Sequence, residues 1–385
     1  MTHTQVSARY GGDGGLTTAE RRLLRRRPQP QNQHIMGWGA DNPEPSPGQF
    51  DWTSLDRRID MIREAGGVPI ITLCCAPDWM KGGEPGATDW SLLERAPDEE
   101  HYRDFADLAA QVARRYPDVT YFQVWNELKG FYDRSRNRWD IEAYTRMYNL
   151  VYDAVKAVRP DARVGGPYAT VESWSSTGAA SHPSSLRGPW GVIDQRALDA
   201  IAYWLEHNTG ADFITMSVTT ATGDAGLTTD PFTALGKLTT LTRWVRGRTA
   251  LPIWIAEWYP LPERGSVGLR HQDAIISAGL VSMIEADVST VLLWRPRGGD
   301  RTSCRGCLWT MDGGEPTPTP LHASIAQLAA VSEVSITGVD ATGRARLVTS
   351  RAGTFAVSTI PREAVLRHGG GAVRLGPYET KLLDG

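Results

Sequence analysis

Residues 119–127 read Val-Thr-Tyr-Phe-Gln-Val-Trp-Asn-Glu, an apolar and aromatic run that stops on an amide followed by a carboxylate. β-Branched and aromatic residues in a short run without a helical period describe a buried strand. Its end releases Asn126 and Glu127 into a loop. Residues 253–258, Ile-Trp-Ile-Ala-Glu-Trp, repeat the form and place Glu257 where a second strand gives way.

Outward from these two runs, residues 34–295 alternate strand-like and helix-like segments. Strands are expected at 34–39, 68–75, 119–126, 163–167, 212–218, 252–257 and 289–294. Helical patterns lie between them, such as 53–66, where Leu55, Ile59, Ile62 and Ala65 share a face, and 268–286, where Ala274, Ala278, Val281 and Ile284 do. Asp140 before 141–158 and Pro160 after it are a helix start and stop. The alternation predicts an α/β fold, a (β/α)8 TIM barrel wound from parallel strands. Seven strands leave one unit to be found upstream. Val6 to Tyr10 is the candidate strand, and Thr17 with Glu20 forms a capping-box pattern opening a helix to about Arg27, so the first unit is expected to be short or incomplete. With it, Glu127 follows the fourth strand and Glu257 the seventh. Beyond Trp294 come a Gly/Arg/Cys loop, a proline-rich stretch from Glu315 to Pro320 and a helix-like segment near 321–331. Short alternating runs with glycine turns then extend over 333–384. The expected division is a barrel domain over 1–320 and a small accessory β-domain over 321–385, which packs on the barrel and borrows a strand from the N-terminus if it needs one.

Composition narrows the partners. Forty-one Lys and Arg against 44 Asp and Glu give a net charge of -3, with no basic surface for nucleic acid or acidic lipid. The run from Arg21 to Arg27 is either an anionic-partner patch or a solvated helix face, and the second is preferred. The N-terminal fifteen residues hold no apolar core of a signal peptide, and no apolar stretch reaches spanning length. The chain reads as cytoplasmic, although an exported parent with its signal trimmed would look the same. Cys74 and Cys75 are adjacent and do not suggest a disulfide framework, and Cys304-x-x-Cys307 has no second pair for zinc. A loop disulfide or two inert thiols is the reading there. Gly11 to Gly15 and Gly369 to Gly371 do not join a strand to a helix as a phosphate loop does, and neither H-E-x-x-H nor G-x-S-x-G occurs. No metal or cofactor is expected.

Catalytic groups of barrel enzymes sit at the C-terminal strand ends, which brings Glu127 and Glu257 onto one face. Each alone reads equally as a capping or ion-pairing residue. Paired carboxylates on one rim suit glycosidic bond cleavage, where one donates a proton to the leaving oxygen and the other attacks the anomeric carbon. Asn126 suits a sugar 2-hydroxyl. Among 14 tryptophans, Trp294, Trp79 and Trp38 are the candidate sugar platforms, core packing being the alternative for each. Tyr168, Tyr259 and Lys129 are candidate rim residues, with an ordinary loop role as the alternative. His34 faces the site if its strand is the second, against a structural role.

Trp125-Asn126-Glu127 and Trp254-Ile255-Ala256-Glu257-Trp258 resemble the clan A retaining glycoside hydrolases. Gly165-Gly166-Pro167, Asp212-Phe213-Ile214 and Leu293-Trp294 follow in the order seen in glycoside hydrolase family 39, a family of β-xylosidases and α-iduronidases. The resemblance covers roughly residues 34 to 300 and implies Glu127 as acid/base and Glu257 as nucleophile. The chain departs from the family at three positions. Ser217 and Thr219 stand where the sixth strand usually carries a His and a Tyr, and Leu128 replaces the usual Pro after the acid/base. That Tyr ordinarily holds the nucleophile, so Tyr259 or Tyr168 must take over or the site is tuned differently. The leading expectation is a retaining glycosidase cleaving a small β-linked glycoside, β-xyloside-like. The alternatives are a non-catalytic carbohydrate-binding barrel and a transglycosidase or natural-product glycoside-processing enzyme. Loops 77–98, 128–140 and 169–193 would set the specificity, and the oligomeric state is left open.

Overall fold

A computed structural model describes residues 1–2, 16–25, 29–175, 182–261, 267–294, 296–299, 304–311, 314–329, 331 and 334–383. Its main sheet has seven strands in chain order: Pro30–His34 (β1), Val68–Leu73 (β2), Tyr121–Val124 (β3), Arg163–Val171 (β4), Phe213–Thr219 (β5), Ile253–Tyr259 (β6) and Val288–Leu293 (β7). The sheet is parallel, with β1 and β2 in register from Pro30↔Val68 to His34↔Thr72 and β2 and β3 from Ile70↔Tyr121 to Leu73↔Val124. Helices run between the strands: Thr53–Glu64 (α2), Tyr102–Arg115 (α3), Ile141–Val158 (α4), Gln195–His207 (α5), Gly236–Arg246 (α6) and Leu269–Glu285 (α7). This is the TIM-type winding expected from the alternation. Asp140 caps α4 by accepting from the Ala143 N–H at 3.0 Å.

The predicted first unit is partly visible. Val6 to Tyr10 lies outside the described residues, but Thr2 makes a parallel bridge to Asn32 of β1. The Asn32 N–H donates to the Met1 carbonyl at 2.8 Å, and the Met1 ammonium donates to the Pro30 carbonyl at 2.7 Å. Thr17 opens Thr18–Leu24 (α1) with the expected capping box to Glu20. Of the arginine run, Arg21 pairs with Glu64 at 2.6 Å and Arg25 donates to the Glu64 carbonyl, so this helix face is pinned to the end of α2.

The strand expected at 34–39 is displaced to 30–34. Ile35 and Met36 supplied the apolar signal, whereas the strand itself is Pro-Gln-Asn-Gln-His, whose last four side chains are buried. Neighbouring elements supply partners for Asn32 and Gln33: Thr72 donates to Asn32 at 2.8 Å and itself accepts from Gln123 at 3.1 Å, and Arg58 donates to Gln33 at 3.0 Å. Residues 37–40 then close a tight turn through reciprocal Gly37 and Ala40 hydrogen bonds.

Contacts gather the chain into two compact units. Met1–Val171, Gln195–Ser217 and Arg248–Glu257 form the first. Within it, Asp212 accepts from Lys156 at 2.8 Å, from Arg163 at 2.9 Å and from the Val164 N–H at 2.9 Å, a structural role for this motif residue. The second unit is Glu172–Asp194, Val218–Gly247 and Trp258–Gly385. It contains a four-stranded antiparallel sheet of Val334–Val339 (β8), Ala345–Ser350 (β9), Gly353–Ser358 (β10) and Thr380–Leu383 (β13), and a hairpin of Ala364–His368 (β11) and Gly371–Leu375 (β12). Ala345, Ala356, Leu366, Leu375 and Leu383 are buried in their common core. Asp273 on α7 accepts from Ser324 of Pro320–Leu328 (α8) at 2.9 Å and from Thr380 at 2.8 Å, tying that sheet to two helices. Cys304 and Cys307 are joined as a loop disulfide, and Cys74 is joined to Cys75 at the end of β2. The cysteines thus form two local staples instead of staying unpaired. No helix among the described residues is long and apolar enough to cross a membrane.

Gly165 and Gly166 in β4 are required by close approach. A Cβ on Gly165 would lie 2.6 Å from the Phe213 carbonyl oxygen, and one on Gly166 would lie 2.7 Å from the Tyr144 hydroxyl, which itself donates to the Val124 carbonyl at 2.9 Å. Gly166→Ala is therefore expected to destabilise the protein by about 1–3 kcal/mol through overpacking. The check is a lower urea midpoint at unchanged m-value.

Candidate active site

The loop after β3 is fixed before any side chain reaches the site. Trp125, Glu127 and Leu128 all have positive φ, at 69°, 54° and 52°. Such values strain L-residues and persist only where the surroundings impose them. Trp125 is the anchor, fully buried against Phe105 and Phe131 with its indole N–H donating to the Lys129 carbonyl at 2.7 Å. A proline, locked near -65°, does not fit the φ of Leu128, which accounts for that departure from the family pattern.

Glu127 Oε1 accepts from the Ser217 hydroxyl at 2.7 Å, and Oε2 stands 3.5 Å from the Lys129 ammonium. Lys129 donates more closely to Glu94, at 2.6 Å, and lies 5.3 Å from the centre of the Trp38 ring. Burial disfavours its charge, but Glu94, Glu127 and Glu257 together raise its pKa above the ordinary lysine value.

Glu257 is buried on β6 and accepts from the Tyr168 hydroxyl at 2.8 Å. Tyr168 follows the cis Gly166–Pro167 bond and has a φ of 57°. Of the two tyrosines considered for holding this carboxylate, the hydrogen bond belongs to Tyr168. Asn126 is buried beside Glu127, with its Oδ1 3.5 Å from His34 Nε2. The His34 ring packs against Trp38 with centroids 4.5 Å apart, and the His34 carbonyl accepts from Arg58 at 2.7 Å.

These contacts join His34, Trp38, Asn126, Glu127 and Lys129 in one cluster and Tyr168 with Glu257 in another. Trp79 is occupied elsewhere, donating to the Glu44 carbonyl at 2.9 Å and meeting His101 edge-on. In the second unit, Tyr259 and Trp294 line a cavity of about 730 Å³ together with Trp258, Leu293, Arg297 and Arg305. Ser217 was read from the sequence only as a lost family residue. The position was flagged by its departure, but nothing in the sequence tells that its hydroxyl meets Glu127.

In this parallel β/α sheet Glu127 follows β3 and Glu257 lies on β6, and each accepts a hydrogen bond from a neutral hydroxyl. The model for glycosyl hydrolases family 39 matches residues 42–284, and the chain belongs to that family. A β-xylosidase of Caldicellulosiruptor saccharolyticus is 28% identical over 137 residues, covering 32% of this chain and 26% of the relative, so the match spans about a quarter of that protein. Among solved structures, a monomeric β-xylosidase from Caulobacter crescentus superposes with a TM-score of 0.59 at 18% identity, covering 91% of this chain and 71% of that one. A glucosidase from Croceicoccus marinus gives 0.60 at 13% identity, with 98% and 80% covered. At these identities the structural likeness establishes the fold.

Burial lowers the His34 pKa from its ordinary 6.5 to about 3, so the ring is neutral through the working pH range. Its unfolded form binds a proton more readily, which makes its contribution to stability full above about pH 6.5 and lost as pH falls toward 3. His34→Gln is expected to flatten the acid side of the stability profile relative to the parent protein. Urea midpoints between pH 4 and 7 that fall in parallel for the two would contradict this.

Proposed function

We propose that the chain is a retaining glycosidase acting on a β-linked glycoside, xyloside-like, with Glu257 as nucleophile and Glu127 as acid/base. The observation that carries the reading is the Tyr168 bond to Glu257 Oε1. It holds a buried carboxylate in one orientation through a neutral donor, which leaves the group its negative charge for attack.

In the first half-reaction, the Glu257 carboxylate forms a bond to the anomeric carbon as the bond to the leaving oxygen breaks, and Glu127 gives its proton to that oxygen. In the second, Glu127 takes a proton from water, the water oxygen bonds to the anomeric carbon, and the ester to Glu257 breaks. Asn126 is the proposed partner of the sugar 2-hydroxyl. Trp38 and His34 back the acid/base side, packed on one another with centroids 4.5 Å apart. The β-xyloside assignment draws on the names of the β-xylosidases to which this chain is similar.

On a panel of aryl β-glycosides, xylosides are expected to turn over fastest. Glu257→Ala should lose at least ~10³-fold in kcat and regain part of it with azide, giving a glycosyl azide of inverted configuration. Sugar binding with no turnover by the parent chain would instead identify a binding barrel. Tyr168→Phe removes one hydrogen bond to a charged group, about 1.5–3 kcal/mol, so kcat/KM should fall roughly ten- to 150-fold with little change in thermal stability.

A further inference from the structure

We infer that Ser217 is the positioning residue of the acid/base, an inference that rests on the proposed role of Glu127. Ser217 lies on β5, is buried, and donates its hydroxyl to Glu127 Oε1 at 2.7 Å from a strand two places away in the sheet. The backbone of the β3 loop already fixes where the Glu127 Cα sits, through the left-handed conformations at 125, 127 and 128. What it leaves free is the rotation of the carboxyl group about its last bond. The Ser217 bond removes that freedom and decides which oxygen does the chemistry.

With Oε1 engaged, Oε2 carries the exchangeable proton. When Glu127 is ionised, Ser217 donates to a carboxylate oxygen; when Oε2 is protonated, Oε1 is a carbonyl-type acceptor and the same bond persists. One hydroxyl therefore serves both half-reactions without turning over or changing charge. Lys129 stands 3.5 Å from Oε2 but is drawn to Glu94 at 2.6 Å, which keeps the ammonium from closing on the reactive oxygen. The serine that replaces the family's histidine thus contacts the acid/base, while the nucleophile's hydroxyl comes from Tyr168 on β4. The support of the nucleophile, which the resemblance places on the sixth strand, comes here from another strand.

The test is kcat/KM, which reports the glycosylation half-reaction, over aryl and alkyl β-xylosides spanning a wide range of leaving-group acidity. The variants are Ser217→Ala, Ser217→Thr, Glu127→Ala and the Glu127→Ala/Ser217→Ala double variant. Ser217→Ala is expected to lose roughly tenfold or more on poor leaving groups and under about twofold on dinitrophenyl xyloside, which needs no protonation. Ser217→Thr, which keeps the hydroxyl, should recover most of the loss on poor leaving groups. In the Glu127→Ala background, Ser217→Ala should have no further effect. An equal loss across all leaving groups, or a full additional loss in the double variant, would overturn the inference. If Glu127→Ala discriminates leaving groups and Ser217→Ala does not, the Ser217 role alone fails. If Glu127→Ala shows no discrimination, Glu127 is not the acid and both readings fall.

Discussion

Holding a carboxylate in a buried barrel mouth costs several kcal/mol unless donors replace the water it has lost. In this chain two neutral hydroxyls contribute to that replacement, Tyr168 donating to Glu257 Oε1 and Ser217 to Glu127 Oε1. A cationic partner at either place would stabilise the charge more strongly, but in the proposed reaction it would also compete for the carboxylate. Lys129, the cation nearest to Glu127, is instead balanced by Glu94. The rest of the first unit serves to keep those hydroxyls and carboxylates in their places.

That service begins in a polar interior. Asn32, Thr72 and Gln123 link β1, β2 and β3 inside the sheet, and Arg58 lies fully buried beneath them. The Arg58 guanidinium donates to Gln33, to the His34 and Ile35 carbonyls and, through Nε, to the Ser54 carbonyl. Burial brings its pKa down to about 9, still well above neutrality, so the group stays charged and is solvated by protein carbonyls. It thereby holds the exit of β1, where His34 packs on Trp38 and meets Asn126. Buried polar networks of this sort are costly when any member goes unpaired, so they specify one arrangement more sharply than apolar packing does.

The same polarity explains what the sequence concealed. Strands β2 to β7 were legible because their apolar, β-branched runs have only one way to be buried, and the expected limits fall within a few residues of those observed. The first strand was placed four residues late because its inward side chains are glutamines, an asparagine and a histidine, which hydropathy reads as loop. Helix starts at Thr17 and Asp140 were legible because capping is local chemistry. The positions of Glu127 and Glu257 followed from strand ends alone. Their partners did not, since the choice between Tyr168 and Tyr259, and the meeting of Ser217 with Glu127, depend on contacts between residues far apart in the chain. No local pattern encodes a hydrogen bond across 90 residues.

Trp38, Trp125, Glu127, Leu128 and Tyr168 all hold positive φ, and all five lie at or beside the two carboxylates. Each such residue costs of order 1 kcal/mol or more, a sum that a marginally stable domain does not carry without compensation. The compensation is visible in the burial of Trp125 between Phe105 and Phe131 and in the complete burial of Leu128 and Tyr168. Bulky side chains at strained positions are thus part of how the site is built: large apolar areas hold the backbone in a shape it would not choose, and that shape aims the polar groups between them. A proline after Glu127 would have fixed the loop through its own ring. With leucine there, the loop is held by packing and the carboxylate by Ser217, so one substitution gives physical sense to the other.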